Sequence, residues 1–303
     1  MGQRSGLFVS IVVPARDAER TLGDCLASLL GLSFPREQRE IIVVDNGSTD
    51  RTAEIIDRAP VRRVREARRG ASFARNAGIL ASRGEIVAFT DADCVVSRGW
   101  LERLVAPFED ARVGGVAGEI VGYPATTAAE RYAARIRHLS PQKYLHRPIL
   151  PFAVFANLAF RRDVFERVGL LDEAMTAGES TDFCTRFRRA SRLDLVYAPR
   201  AVVFHRHRRT AAELFRQQWN YGRGHALLYI KYGREVPWGW RQSALAYADL
   251  GKAILALGRS TVRIDGGSAW REEMSFRYLD CVRKVAERLG FARQALAKGR
   301  LYL

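Results

Sequence analysis

Two aspartates, Asp91 and Asp93, stand one residue apart where the apolar run Glu85 to Phe89 gives out at Thr90. Like charges so close repel, and each loses hydration when the other crowds it. A divalent cation shared with a phosphate removes that cost, and Mg²⁺ typically takes one or two carboxylates plus substrate phosphates. The spacing therefore suggests a metal-diphosphate site. A lone Asp-x-Asp is weak by itself, because solvated turns and helix caps use the same pattern. Two other residues can join it. Asp45 ends an earlier apolar run and can accept a hydrogen bond from a base N–H, or cap the turn that follows. Arg75 can neutralise phosphate, or lie on the surface.

The elements that must hold these groups alternate in type. Leu7 to Val13 is a β-branched run stopped by Pro14, which reads as a buried strand. Ala18 to Leu30 carries Leu22, Cys25, Leu26, Leu29 and Leu30 on one face and reads as an amphipathic helix. Glu40 to Val44 is a second strand. Asn46-Gly47 turns the chain, and Ser48, Thr49 and Asp50 offer caps to a helix through Ile56. Val61 to Arg65 suggests a short third strand, and Gly70 to Ala81 a helix of small residues. Strands alternating with helices imply a mostly parallel α/β sheet flanked by helices. In such sheets ligands bind outside the carboxyl ends of the strands, which is where Asp45, Asp91 and Asp93 fall. No GxGxxG follows the first strand and no GxxxxGK[ST] occurs, which argues against dinucleotide-binding and P-loop enzymes.

The 303 residues suffice for one large domain with an appendage. Four dispersed cysteines without zinc spacing fit free thiols in a reducing compartment. The start lacks a cleavable-signal pattern, and the longest apolar stretch, Pro148 to Phe160, is too short to span a bilayer. A cytoplasmic protein is expected, soluble or peripheral at the inner face of the membrane. Of the net charge of +16, residues 199–303 supply most, with 20 Lys and Arg against 8 Asp and Glu. Charge of this sign suits an anionic membrane surface better than nucleic acid, which is not expected as a partner. Arg-rich usage from a GC-rich genome would produce the same bias. Ser243 to Leu257 and Phe276 to Leu296 read as amphipathic helices, with Trp238, Trp240, Trp270 and Tyr278 near basic residues. They are expected to rest on a membrane interface, on the catalytic domain, or on a second subunit in a homodimer.

Three stretches carry a family resemblance: VSIVVPARDAERTLGDCLASL, IIVVDNGSTDRTAEII and RRGASFARNAGILASRGEIVAFTDADC. In order and spacing, from about Val9 to about His207, the chain resembles family-2 glycosyltransferases with the GT-A fold. The resemblance implies an inverting transfer from a nucleotide-diphosphate sugar, UDP-linked by preference, to a hydroxyl of a glycan or lipid-linked acceptor, with Mn²⁺ or Mg²⁺. Pro14, Ala15 and Arg16 match the stretch lining the nucleoside, and Asp45 the carboxylate that contacts the base. Arg75 lies in the Ala-Arg-Asn segment beside the nucleotide. Asp91, Ala92 and Asp93 match the DxD element, with Asp93 the direct metal ligand. His205 matches a histidine that approaches the metal or diphosphate; otherwise it closes its strand. One departure is Asp17-Ala18 where Asn-Glu is common, which leaves the ribose contacts open. The expected organisation is a GT-A domain over 1–232 and a basic helical extension over 233–303. The nucleotide-sugar half of that domain is about 1–110, and the acceptor and catalytic half 111–232.

The second departure concerns the chemistry. An inverting transfer needs a carboxylate that takes the acceptor's proton as its oxygen attacks. The resemblance puts that base in a segment usually written Gly-Glu-Asp-x-Asp, and here the chain reads Gly178-Glu179-Ser180-Thr181-Asp182. Ser180 stands at the usual base. Glu179 is the first choice to replace it and Asp182 the second, with Asp182 otherwise capping a helix or anchoring Arg186. Trp100 and Asn157 are candidates to meet the acceptor; Asn157 can equally satisfy a buried turn. Other readings are a nucleotide-sugar-binding protein with altered or lost catalysis, and a sugar nucleotidyltransferase. The latter would want a glycine-rich basic loop after the first strand, which Pro14-Ala15-Arg16-Asp17 does not supply.

Overall fold

The β-branched run near the start forms β1 (Val9–Ala15), buried on both faces and extending one residue past Pro14. A computed structural model describes residues 7–300 except 138, 148, 234, 237–239 and 263–266. After β1 come α1 (Leu22–Leu30), β2 (Arg39–Asp45), α2 (Thr52–Asp57), β3 (Arg62–Arg65), α3 (Ala71–Ala81) and β4 (Ile86–Thr90). The chain continues through β5 (Cys94–Val96), α4 (Trp100–Val105), β6 (Val113–Gly122), α5 (Ala128–Ile136), β7 (Asn157–Arg161) and α6 (Arg162–Val168). It ends with α7 (Glu179–Ala190), β8 (Asp194–His205), α8 (Ala211–Tyr232), α9 (Trp240–Val262) and α10 (Ser268–Ala297). Trp238 lies outside the described residues.

Among the described residues the strands join one eight-stranded sheet in the order β3-β2-β1-β4-β7-β6-β8-β5. The first four are parallel, as the alternation of elements implies. Beyond β4 the sheet is mixed: β7 runs antiparallel to both β4 and β6, and β5 antiparallel to β8. The glycine-rich stretch Val113–Gly122 is a single strand, β6, paired with β7 on one side and β8 on the other.

Period-two alternation divides the core between the sheet's two faces. Val9, Ile11 and Val13 pack with Leu22, Leu26 and Leu29 of α1 and with Trp100, Leu101 and Leu104 of α4. Val12, Ile42, Val44 and Phe89 pack on the opposite face with Ala74 and Ile79 of α3 and Phe183 and Phe187 of α7. Helices on both faces explain why the strands read as continuous apolar runs.

The chain divides into two compact units. One comprises the residues up to Tyr123, Leu139–Ala174 and Glu179–Arg206; the other comprises Pro124–His138, Met175–Gly178 and the chain from His207 onward. Helix α8, grouped by sequence with the catalytic domain, thus belongs with α5, α9 and α10. The reason is a close crossing of α8 and α10. A Cβ on Gly222 would overlap the carbonyl of Glu287, and one on Gly290 the carbonyl of Trp219. Backbone meets backbone there, so neither side can give way. Gly290→Ala is expected to cost roughly 1–3 kcal/mol, the usual penalty of overpacking. A thermal melt checks this; an unchanged midpoint would mean that the helices separate freely.

Candidate functional site

Strand register decides which side chains share the carboxyl edge of the parallel strands. Ala15 of β1 lies opposite Asp45 of β2, and β4 ends next to them at Thr90. Pro14 and Ala15 therefore close the same edge as Asp45, with Arg16 exposed just beyond. Asp45 is buried. Its Oδ1 accepts from the Ser48 N–H at 3.1 Å and its Oδ2 from Arg63 at 2.6 Å. Burial alone would raise its pKa, but the Ser48 hydrogen bonds and the Arg63 guanidinium outweigh that and lower it. Arg63 comes from the diagonal neighbour position on β3, a partner that sequence reading missed although the alternation of β3 contained it. Asp17 accepts from the Thr49 N–H at 2.8 Å, which ties the segment after β1 to the turn after β2.

Arg75 links the two halves of the candidate site. It sits on α3, 5% exposed. Its Nη2 donates to Asp91 Oδ1 and its Nη1 to Glu179 Oε1, both at 2.8 Å. The guanidinium also lies 5.1 Å from the centroid of the Phe155 ring. Burial opposes its charge, but Asp91 and Glu179 outweigh burial and hold its pKa above the usual value. One buried cation therefore joins the carboxylate after β4 to the carboxylate that opens α7.

Asp93 projects from the same turn toward His205, whose Nε2 is 3.4 Å from Asp93 Oδ1. The antiparallel register of β5 with β8, Cys94 opposite His205, brings the histidine there. One ligand atom from each of Asp93, Cys94 and His205 lies within 4.8 Å of the others. Burial pushes the Cys94 thiol well up, and Asp93 and Asp91 add to the shift, so it stays protonated without a cation. The donors on offer are carboxylate oxygens and an imidazole. That set fits Mn²⁺ well, whereas Mg²⁺ prefers oxygen alone. Ala92 packs its methyl into the core between the two aspartates.

Three expected site residues have internal tasks instead. Trp100 and Asn157, named as acceptor contacts, are both fully buried. Trp100 Nε1 donates to Asn157 Oδ1, and Asn157 Nδ2 donates to the carbonyls of Glu119 and Ala201, each bond 2.8 Å long. Every hydrogen-bonding atom of that pair is occupied inside the core, so the pair braces β6, β7 and β8 rather than facing an acceptor. Asp182 is likewise fully buried and accepts from Arg186 Nε at 2.9 Å, while Arg186 also donates to the carbonyls of Val168 and Leu170. Glu179, one turn earlier, keeps some exposure and reaches the Asp91 neighbourhood through Arg75.

A mixed sheet with acids at the carboxyl ends of its parallel strands defines the class: a GT-A-type glycosyltransferase fold. The chain belongs to glycosyl transferase family 2, whose profile matches residues 10–169. It is 31% identical over 232 residues to glycosyltransferase AglE of Haloferax volcanii, covering 74% of each chain. It is also 31% identical to the pre-mycofactocin glycosyltransferase of Mycobacterium tuberculosis, over 74% of this chain and 48% of that one. Among solved structures it resembles the mannosyltransferase PcManGT from Pyrobaculum calidifontis, in complex with GDP-Man and Mn²⁺. That match has a TM-score of 0.65 at 20% identity and covers 97% of this chain and 88% of the other. Glucosyl-3-phosphoglycerate synthase from Mycobacterium tuberculosis, in complex with Mn²⁺, UDP-Glc and phosphoglyceric acid, matches with a TM-score of 0.54 at 21% identity over 76% and 81% of the chains.

Proposed function

We propose that this family-2 glycosyltransferase moves a sugar from a UDP-sugar to a hydroxyl of a glycan or lipid-linked acceptor, with inversion at the anomeric carbon and Glu179 as general base. The observation that carries the proposal is the Arg75 bridge between Asp91 and Glu179. Asp45 and the end of β1 receive the nucleoside, and Asp91 and Asp93 face the diphosphate. Asp93 and His205 would hold Mn²⁺ or Mg²⁺, with Asp91 beside them. Bound there, the cation would offset the charge that develops on the departing diphosphate.

The diphosphate of an arriving donor competes for the Arg75 guanidinium. As Arg75 turns to phosphate, Glu179 is released from its ion pair, faces the acceptor hydroxyl and takes its proton as the oxygen attacks. Asp182 stays with Arg186 and steadies the start of α7. The basic C-terminal third supports an anionic membrane as the place where a lipid-linked acceptor is met.

Thermal-shift titration with UDP- and GDP-sugars, with Mn²⁺ and with EDTA, followed by a transfer assay, tests the proposal. Donor at a hundred times its Kd should add about 2.7 kcal/mol of stability. Stabilisation by UDP-sugars that EDTA abolishes, together with turnover, is expected. Stabilisation without hydrolysis or transfer would favour the binding-only reading that Ser180 motivates. No response to any nucleotide would overturn the site.

A further inference from the structure

The second unit carries a helix face that no part of the proposed reaction uses. Helix α9 packs its inner side on α10: Ser243 and Ala253 are buried, and Arg277 of α10 donates to the Ala256 carbonyl. Its outer side is exposed and largely apolar. Leu245 is 70% exposed, Leu255 61%, Ile254 53% and Tyr247 50%. Ala244, Ala248 and Gly258 are exposed on the same side. Helical geometry groups these positions: at 100° per residue, Tyr247, Ile254, Gly258, Ala244, Leu255 and Ala248 fill one continuous sector.

A line of cations borders that sector. Arg241, Lys252 and Arg259 are all exposed and spaced eleven and seven residues apart, which is close to three turns and two turns. They therefore fall on one edge of the apolar sector, between it and Leu245. The single acid of the helix, Asp249, lies past that edge and pairs with Lys284 of α10 at 3.0 Å. An exposed apolar stripe edged by basic side chains is the pattern of a helix lying in a bilayer interface. The helix is not apolar enough to cross a membrane. A second copy of the chain fits less well, because an antiparallel two-fold pairing along this face would set each cation line against itself. The charge complements anionic headgroups instead.

We propose that the outer face of α9 docks the protein flat on an anionic lipid bilayer, with Tyr247, Ile254 and Leu255 entering the interface and Arg241, Lys252 and Arg259 on the headgroups. This rests on the membrane reading of the basic C-terminal third and assigns it to one face of one helix. At about 1.5 Å per residue, α9 would lie along roughly 35 Å of surface.

Cosedimentation of the full chain with vesicles tests the proposal, using phosphatidylcholine alone and phosphatidylcholine mixed with phosphatidylglycerol. The mixed vesicles should bind the protein and added salt should release it, while phosphatidylcholine alone should bind at least about tenfold less. The triple variant R241Q/K252Q/R259Q and the double variant I254S/L255S should each lose about tenfold or more in partition. R36Q/R58Q/R98Q removes the same charge from exposed sites in the other unit and should bind as the unaltered chain does. Melting curves with and without nucleotide establish that each variant is folded. If the unaltered chain ignores anionic vesicles, the membrane reading and this proposal fall together. If it binds and the α9 variants bind equally, this proposal alone fails. Self-association by light scattering that I254S/L255S abolishes, with vesicle binding unchanged, would overturn it in favour of a second copy.

Discussion

Glu179→Gln should abolish transfer while leaving donor binding nearly intact. The amide has the shape of the carboxylate, and its oxygen can still accept from Arg75, so α3, α7 and the turn bearing Asp91 keep their places. It cannot take a proton. A positioned general base contributes on the order of 10²–10⁴ in rate, and that is the expected drop in kcat. The donor KM should stay within about threefold, because the lost interaction belongs to the transition state. Steady-state kinetics with saturating acceptor give both numbers. More than a tenth of the original kcat in the variant would remove Glu179 from the role. Asp182→Asn is the informative companion: with its carboxylate fully buried on Arg186, its expected effect is on the melting midpoint rather than on kcat. Ser180→Asp placed in the Glu179→Gln background asks whether a carboxylate one residue on can take over. Ser180 is buried in the first turn of α7, so partial recovery is expected only if that turn can rotate toward the site.

The legible parts of this chain were those decided locally. The apolar runs of β1, β2 and β4 stop at Pro14, Asp45 and Thr90, and alternation with helices implied the parallel half of the sheet. The antiparallel insertion of β7 between β4 and β6 left no comparable mark, since strand direction depends on the crossover and not on the strand's own residues. The site divides in the same way. Asp91 and Asp93 were visible as a pair because only Ala92 separates them in sequence. The Arg75–Glu179 contact joins residues 104 positions apart and has no sequence signal at all. Asn157 illustrates the reverse error. A polar residue in an apolar run invites a ligand, but its carbonyl and amide are consumed by Trp100 and two backbone carbonyls. A single sequence does not distinguish a polar group that serves a substrate from one that serves the core. Likewise α8 reads as a continuation of the catalytic chain until its crossing with α10 at Gly222 and Gly290 is known.

Replacing Arg75 by Met should damage binding and folding together, and Arg75→Lys should separate the two. In the Met variant Asp91 and Glu179 face each other across a site without a counter-charge. Both are partly exposed, so water and salt relieve some of the repulsion. The stability loss should therefore fall below the roughly 3–5 kcal/mol of a fully buried pair that loses one partner, at about 1–3 kcal/mol. The donor loses a charge-assisted contact to its diphosphate, worth about 1.5–3 kcal/mol, so its affinity should fall about 10- to 150-fold. Lysine restores a cation at the same position but as a single point of charge. It can hold one carboxylate at a time and cannot span Asp91 and Glu179 as the guanidinium fork does. Arg75→Lys should therefore recover most of the melting midpoint but little of the donor affinity. Calorimetric titration of UDP with Mn²⁺, beside thermal melts of the three proteins, measures both. Full recovery of affinity by lysine would mean that only net charge matters at this position, and the idea that donor binding frees Glu179 from a bridging guanidinium would have to be given up.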